Sequence, residues 1–123
     1  MTLSMIDKKQ PSNRQLKIGQ QIRFLVSSFF IKQDFIFENF DSKNLTIVDV
    51  ILSSDLKNAK IFVSTNSISE NKLFIDELNK KSKLIQRKIA SNLTSKFTPK
   101  IKFLFDNSFE YSNRINSILE TIK

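Results

Sequence analysis

The chain of 123 residues has no cysteine, no histidine and no tryptophan, and only one glycine and two prolines. Without cysteine there is no disulfide framework and no thiolate metal site, and without histidine the commonest general base and metal ligand is missing. The lone Gly19 falls inside a helical pattern, so no glycine-rich loop lets backbone amides cradle a nucleoside triphosphate. No apolar run approaches the ~20 residues that span a bilayer, and the polar N-terminus lacks the apolar core of a signal peptide. These absences lead to the expectation of a cytoplasmic protein with no metal, no cofactor, no membrane partner and no small-molecule substrate.

What is present is charge, unevenly placed. The chain carries 20 basic and 12 acidic side chains, a net +8. Residues 78–105 hold eight cations, Lys80, Lys81, Lys83, Arg87, Lys88, Lys96, Lys100 and Lys102, and no acid, so the rest of the chain is neutral. A local excess of one sign opposes compaction and points to a polyanionic partner. The bland alternative is a solvated lysine-rich face. If six of the eight each neutralised a phosphate, the logarithmic salt slope of binding would be about −4 to −5.

At this length a single domain buries about two-thirds of its unfolded surface without staples. Residues 1–12 show no sustained period and read as a mobile tail, leaving 13–123 as the domain. Ser12 or Asn13 can cap a helix over residues 14–32, whose apolar face is Ile18, Ile22, Leu25, Val26 and Phe29. Residues 33–44 read as a loop with apolar anchors, Phe35, Ile36, Phe37 and Phe40, packed under the sheet edge. The β-branched run Leu45–Leu52 predicts a strand covered on both faces, and residues 60–65 a second strand, antiparallel to the first across a short turn.

After a loop that Ser67 or Ser69 can end as a cap, a long helix follows from about Glu70. Phe74, Leu78, Ile85, Ile89 and Leu93 form its core stripe, with Lys80, Lys83 and Arg87 opposite. Ser82 stands where the stripe calls for leucine, which predicts a bend or a close approach. Pro99 starts a third strand, Lys100–Phe105, and Ile115, Ile118, Leu119 and Ile122 mark a last helix. The fold class is α+β, with helices on one face of a three-stranded sheet.

Carboxylates, lysines and Tyr111 are the only candidates for catalysis, and no acids converge at a helix or strand spacing. Adjacent Asp76 and Glu77 suit the helix dipole better than acid and base roles. The expectation is a protein that is not an enzyme.

Residues 53–63, with Ser53, Asp55, Leu56, Ala59, Ile61 and Val63, resemble the serine, aspartate-leucine and alanine signature of the ribosome-binding factor A family. Pro99, Ile101, Phe103, Phe105 and Asp106, continued by Asn107 and Ser108, are similar to its proline-led last strand. The resemblance runs from about Asn13 to Ile118. It implies a type II KH-like domain in the order helix, strand, strand, long kinked helix, strand, plus a C-terminal helix. It also implies a bacterial assembly factor that binds the immature 30S subunit and 16S rRNA, assists late maturation and 16S rRNA 5′-end processing, and serves in cold adaptation. Where relatives bend the long helix with alanine, any residue, glycine, this chain has Lys81, Ser82 and Lys83. Phe37 and Glu38 stand in place of an aspartate-proline step.

The expected RNA-binding residues are Lys80, Lys81, Ser82, Lys83, Arg87, Lys88, Lys96, Lys100 and Lys102, on a monomer. Two other readings compete. One is a general nucleic-acid-binding module, and the other a protein-interaction domain using Phe35, Phe37 and Phe40.

Overall fold

The computed structural model describes residues 10–65, 71–93 and 97–106. The expected last helix, the caps Ser67 and Ser69, Lys96 and most of the N-terminal tail lie outside the described residues.

Helix α1 spans Asn13–Ile31. Ser12 caps it in a reciprocal box: its hydroxyl accepts from the Gln15 N–H at 3.1 Å, and the Gln15 side chain accepts from the Ser12 N–H at 2.7 Å. Ile18, Ile22, Val26, Phe29 and Phe30 face the core. Gly19 belongs to the same face because a β-carbon there would meet the Val50 carbonyl oxygen at 3.2 Å. The Gln15 amide donates to the Leu52 carbonyl at 3.0 Å and ties the start of α1 to the end of the first strand.

Strands β1 (Leu45–Leu52), β2 (Asn58–Thr65) and β3 (Lys100–Phe105) form a sheet in that order, β1 and β2 antiparallel, β2 and β3 parallel. The expectation that β1 is covered on both faces does not hold. Its register slips between Ile47 and Asp49, a bulge that places an extra residue at Val48. Leu45 and Ile47 before the bulge and Leu52 after it are all buried, although their parities differ, while Thr46, Asp49 and Ile51 are exposed. The apolar run is continuous because the bulge changes its phase, not because both faces are covered.

Between β1 and β2 the Asp55 carboxylate accepts from the Ser53 hydroxyl at 2.6 Å and the Lys57 N–H at 3.0 Å. Those two bonds, the hydroxyl's first, hold its pKa below the ordinary aspartate value. Leu56 takes a left-handed backbone with φ 63°, and its N–H donates to the Ser53 carbonyl at 2.9 Å.

The long helix is two helices, α2 (Asn71–Lys80) and α3 (Ser82–Ala90). Lys81 leaves helical geometry at φ −97°, ψ 7°, and its N–H reaches the carbonyl of Leu78 at 3.1 Å, three residues back instead of four. Phe74 and Leu78 before the break and Ile85 and Ile89 after it are buried, but the turn between them offers only Lys81 and Ser82 to the core. Seating a straight helix there would bury a lysine, so the chain opens at that turn.

The described helices pack on one face of the sheet, α1 over β1 and the α2–α3 pair over β3. Asn79 blunts the free edge of β3. Its side-chain carbonyl accepts from the Phe103 N–H at 2.8 Å, and its amide donates to the Phe103 carbonyl at 3.1 Å. Among the described residues no helix is long and apolar enough to cross a membrane.

Two substitutions test this packing. Gly19→Val drives a branched side chain against the Val50 carbonyl and is expected to lower stability by about 1–3 kcal/mol in a urea titration. Asn79→Ala leaves both edge groups of Phe103 without their partner and is expected to cost about 1–3 kcal/mol. In the same titration Asn79→Asp recovers only the bond to the N–H.

Candidate nucleic-acid interface

The loop over residues 33–41 decides which cations are available. Its phenylalanines have ring partners on α1 and α2. Phe37 meets Phe30 edge-on at 6.1 Å and stacks on Phe40 at 4.5 Å, Phe40 meets Phe74 at 4.8 Å, and Phe35 meets Phe29 at 6.0 Å. Phe37 is buried and Phe35 and Phe40 are half-buried against the core, so the reading of these rings as a partner-docking surface is corrected: they hold the fold together. Asp41 begins a single 3-10 turn, Ser42–Asn44, which leads into β1.

The helix pair clamps this loop by its side chains. Glu77, expected to complement the helix dipole, lies beyond the first turn and accepts from the Glu38 N–H, the Asn39 N–H at 3.2 Å and the Asn39 amide at 3.0 Å. Lys81 places its ammonium 5.8 Å from the centre of the Phe37 ring. Lys88 lies over Phe29 at 5.3 Å and Phe35 at 5.9 Å, and pairs with Asp34 at 3.4 Å.

The eight described residues of the expected set therefore do not form one patch. Lys81 and Lys88 are half-buried and engaged with the loop. Ser82 is half-buried at the first position of α3. Lys80, Lys83 and Arg87 are exposed and make no ion pair with any described residue. Lys83 and Arg87 are four apart and share one side of α3, turned away from buried Ile85 and Ile89.

Lys100 and Lys102 are exposed too, but strand alternation sets them opposite the buried Ile101 and Phe103. They occupy the sheet face that carries no described helix. There Lys102 is in register with Lys60 of β2, a cation outside the expected set. Its signal was the alternation of Lys60 against Ile61; the missing information was that β3 pairs with β2. The structure thus leaves Lys80 and Lys83 flanking the helix break and Arg87 in the last turn of α3, and sets Lys60 with Lys102 on the opposite layer. Among the described residues no group of three or more histidine, cysteine, aspartate or glutamate side chains could hold a metal ion.

Comparison with known proteins agrees with this architecture. Residues 14–119 match the family model described as ribosome-binding factor A. The chain is 32% identical over 112 residues to ribosome-binding factor A of Pelagibacter ubique, an overlap of 91% of this chain and 92% of that protein. The solution structure of a candidate ribosome-binding factor A from Thermotoga maritima superposes with a TM-score of 0.65 at 25% identity, covering 77% of this chain and 89% of that one. Coordinates of the Thermus thermophilus ribosome-binding factor A, fitted into a cryo-electron-microscopy map of its complex with 30S, give 0.59 at 17% identity over 72% and 91%. The order of one helix, two strands, a broken helix and a third strand is the KH-like fold of these neighbours. From the family match over residues 14–119, the chain belongs to the ribosome-binding factor A family.

Proposed function

We propose that this chain binds the immature 30S ribosomal subunit through 16S rRNA phosphates, and that it assists late subunit maturation and 5′-end processing of that RNA without catalysing a reaction. The observation that carries the reading is the trio Lys80, Lys83 and Arg87, exposed from the helix break to the last turn of α3 and unpaired with any described residue. Its family membership and its likeness to a Thermus thermophilus protein fitted into a map of a 30S complex support the same partner.

KH modules clamp a nucleic-acid backbone at a glycine-containing loop between helices. Lys81, Ser82 and Lys83 occupy the break here, so phosphate contact falls to cationic side chains instead of closely approached backbone amides. Lys96, Lys100 and Lys102 are assigned a secondary share of the contact, and Lys81, Ser82 and Lys88 the support of the break and the loop. The protein is read as a cytoplasmic monomer over residues 13–123 that serves in cold adaptation.

The test is co-sedimentation with purified 30S subunits. Lys83→Glu together with Arg87→Glu is expected to weaken co-sedimentation and to lower the magnitude of the salt slope by about 2. Thermal unfolding stays close to wild type, because exposed substitutions move stability by about 0.5 kcal/mol or less. Unchanged co-sedimentation would remove these residues from the interface. A competition titration in which free duplex displaces the protein as well as 30S particles do would favour the general nucleic-acid-binding module.

A further inference from the structure

On the side of α1 turned away from the core, Phe24 and Ile31 keep 72% and 68% of their surface exposed. Single apolar side chains on a surface are ordinary. These two stand seven residues apart on one line of the helix, and Ser27 and Ser28 lie between them. The four enclose a cavity of about 260 Å³ with an almost wholly apolar lining and Lys32 at its rim. Positions i, i+3, i+4 and i+7 are the four that make a hole for one side chain of a facing helix. Small residues across the waist and bulky ones at the ends leave that hole deep. The fold does not call for it: both serines are weaker helix formers than leucine, and among the described residues neither hydroxyl has a hydrogen-bond partner and the Phe24 ring has no ring or cation partner.

Charge selects the occupant. Helix α1 carries Arg14, Lys17 and Arg23 and no acid, and Lys32 follows at its C-cap. At 100° per residue Arg23 and Lys32 fall on opposite flanks of the hole, and neither pairs with a described acid. The helix dipole accounts for a cation at the C-cap but not for Arg23 in mid-helix. A second copy of this chain would set these cations against their equivalents, which costs affinity. A bilayer would take the apolar ends yet has no side chain to seat between them, and RNA would meet the cations but leave the apolar hole unfilled. A helix with one large apolar side chain facing α1 and carboxylates to either side matches the hole and both flanks together.

We propose that the outer face of α1 docks an acidic amphipathic helix of a partner protein, which seats one leucine-sized side chain between Phe24 and Ile31 and sets carboxylates against Arg23 and Lys32. The inference goes beyond the RNA reading above and does not rest on it, since none of these residues belongs to the expected RNA-binding set.

The experiment is an NMR titration of the isotope-labelled full chain with four separate probes. Two are synthetic helical peptides with leucine at the a and d positions of each heptad, one with glutamate at e and g and one with lysine there, so that like charges keep each from pairing with itself. The others are phosphatidylglycerol vesicles and a blunt RNA duplex. The glutamate peptide is expected to shift the amides of residues 23–32 with a Kd of about 10–100 μM, and the lysine peptide to bind about tenfold more weakly or less. Ser27→Leu decides between a hole and a merely adhesive face. It fills the cavity while adding apolar surface, so it weakens the glutamate peptide about tenfold, whereas an adhesive face would gain from it. Phe24→Ala, and Arg23→Glu together with Lys32→Glu, each weaken the same peptide about tenfold; these exposed positions leave urea unfolding close to wild type. No binding of the glutamate peptide, equal binding of the two peptides, or tighter binding by Ser27→Leu overturns the site. Vesicles or duplex that shift the same amides and lose affinity on Phe24→Ala would make the occupant a membrane or RNA. Dimerisation of the wild-type chain that Phe24→Ala abolishes would make it a second copy. A tenfold gain for the glutamate peptide on Ile118→Ser would assign the face to the chain's own C-terminal segment. Each of these three results overturns the assignment to a partner protein.

Discussion

The chain of phenylalanine rings running from β3 through α1 and the loop to α2 is the contact on which the helical layer depends. Phe103 meets Phe30 at 6.3 Å, Phe30 meets Phe37, Phe37 stacks on Phe40, and Phe40 meets Phe74. Offset and edge-on pairs of this kind add about 0.5–1.5 kcal/mol each beyond the apolar area they bury. Without them α1 and the α2–α3 pair share few contacts, because each packs mainly on its own strand. By seating the loop, the rings bring Asp34, Phe35 and Phe37 under Lys88 and Lys81. Two cations of the basic run are thereby drawn into the fold, and Lys80, Lys83 and Arg87 remain outward.

The helix break obeys the same logic. A bend at glycine gains backbone freedom; here the residue in the break is Lys81, at a φ of −97° that any L residue adopts. What opens the helix is the composition of one turn. The core stripe would require burying Lys81 or Ser82, and it is cheaper in free energy to lose one intrahelical bond near the surface than to desolvate an ammonium without a partner. Lys81 stays half-exposed, with its ammonium over the Phe37 ring.

Much of this was legible in the residues. The spacing of Ile18, Ile22, Val26 and Phe29 predicts α1 nearly to its ends, Leu45–Leu52 and Lys100–Phe105 are the observed strands, and Ser82 in the stripe predicts the break. Strand β2 begins two residues before its apolar alternation because pairing with Leu52 and Lys100 recruits Ala59 and Asn58. The bulge at Val48 was not legible, since an unbroken apolar run reads the same whether both faces are covered or the phase shifts once. Parallel pairing of β2 with β3 depends on where the helix pair returns the chain, which no local pattern encodes. The candidate site was readable as a charge run and unreadable as a surface for that reason.

A run of like charges in sequence becomes one surface only when its elements share a period and a side. Helix α3 repeats every 3.6 residues and β3 every two, so Lys83 and Arg87 emerge from the helical layer while Lys102 emerges from the far face of the sheet. A helix with its side chains is about 10 Å across, more than the Debye length of about 8 Å at physiological salt, so the two groups attract a polyanion nearly independently. A straight duplex laid on one face gains little from the other. An RNA that engaged both would have to pass the edge of β3, where Asn79 already holds the backbone of Phe103 and leaves that pair of edge groups unavailable to a ligand. Under the proposed RNA-binding reading, such a division of charge suits a surface with walls on more than one side of the domain better than a straight duplex.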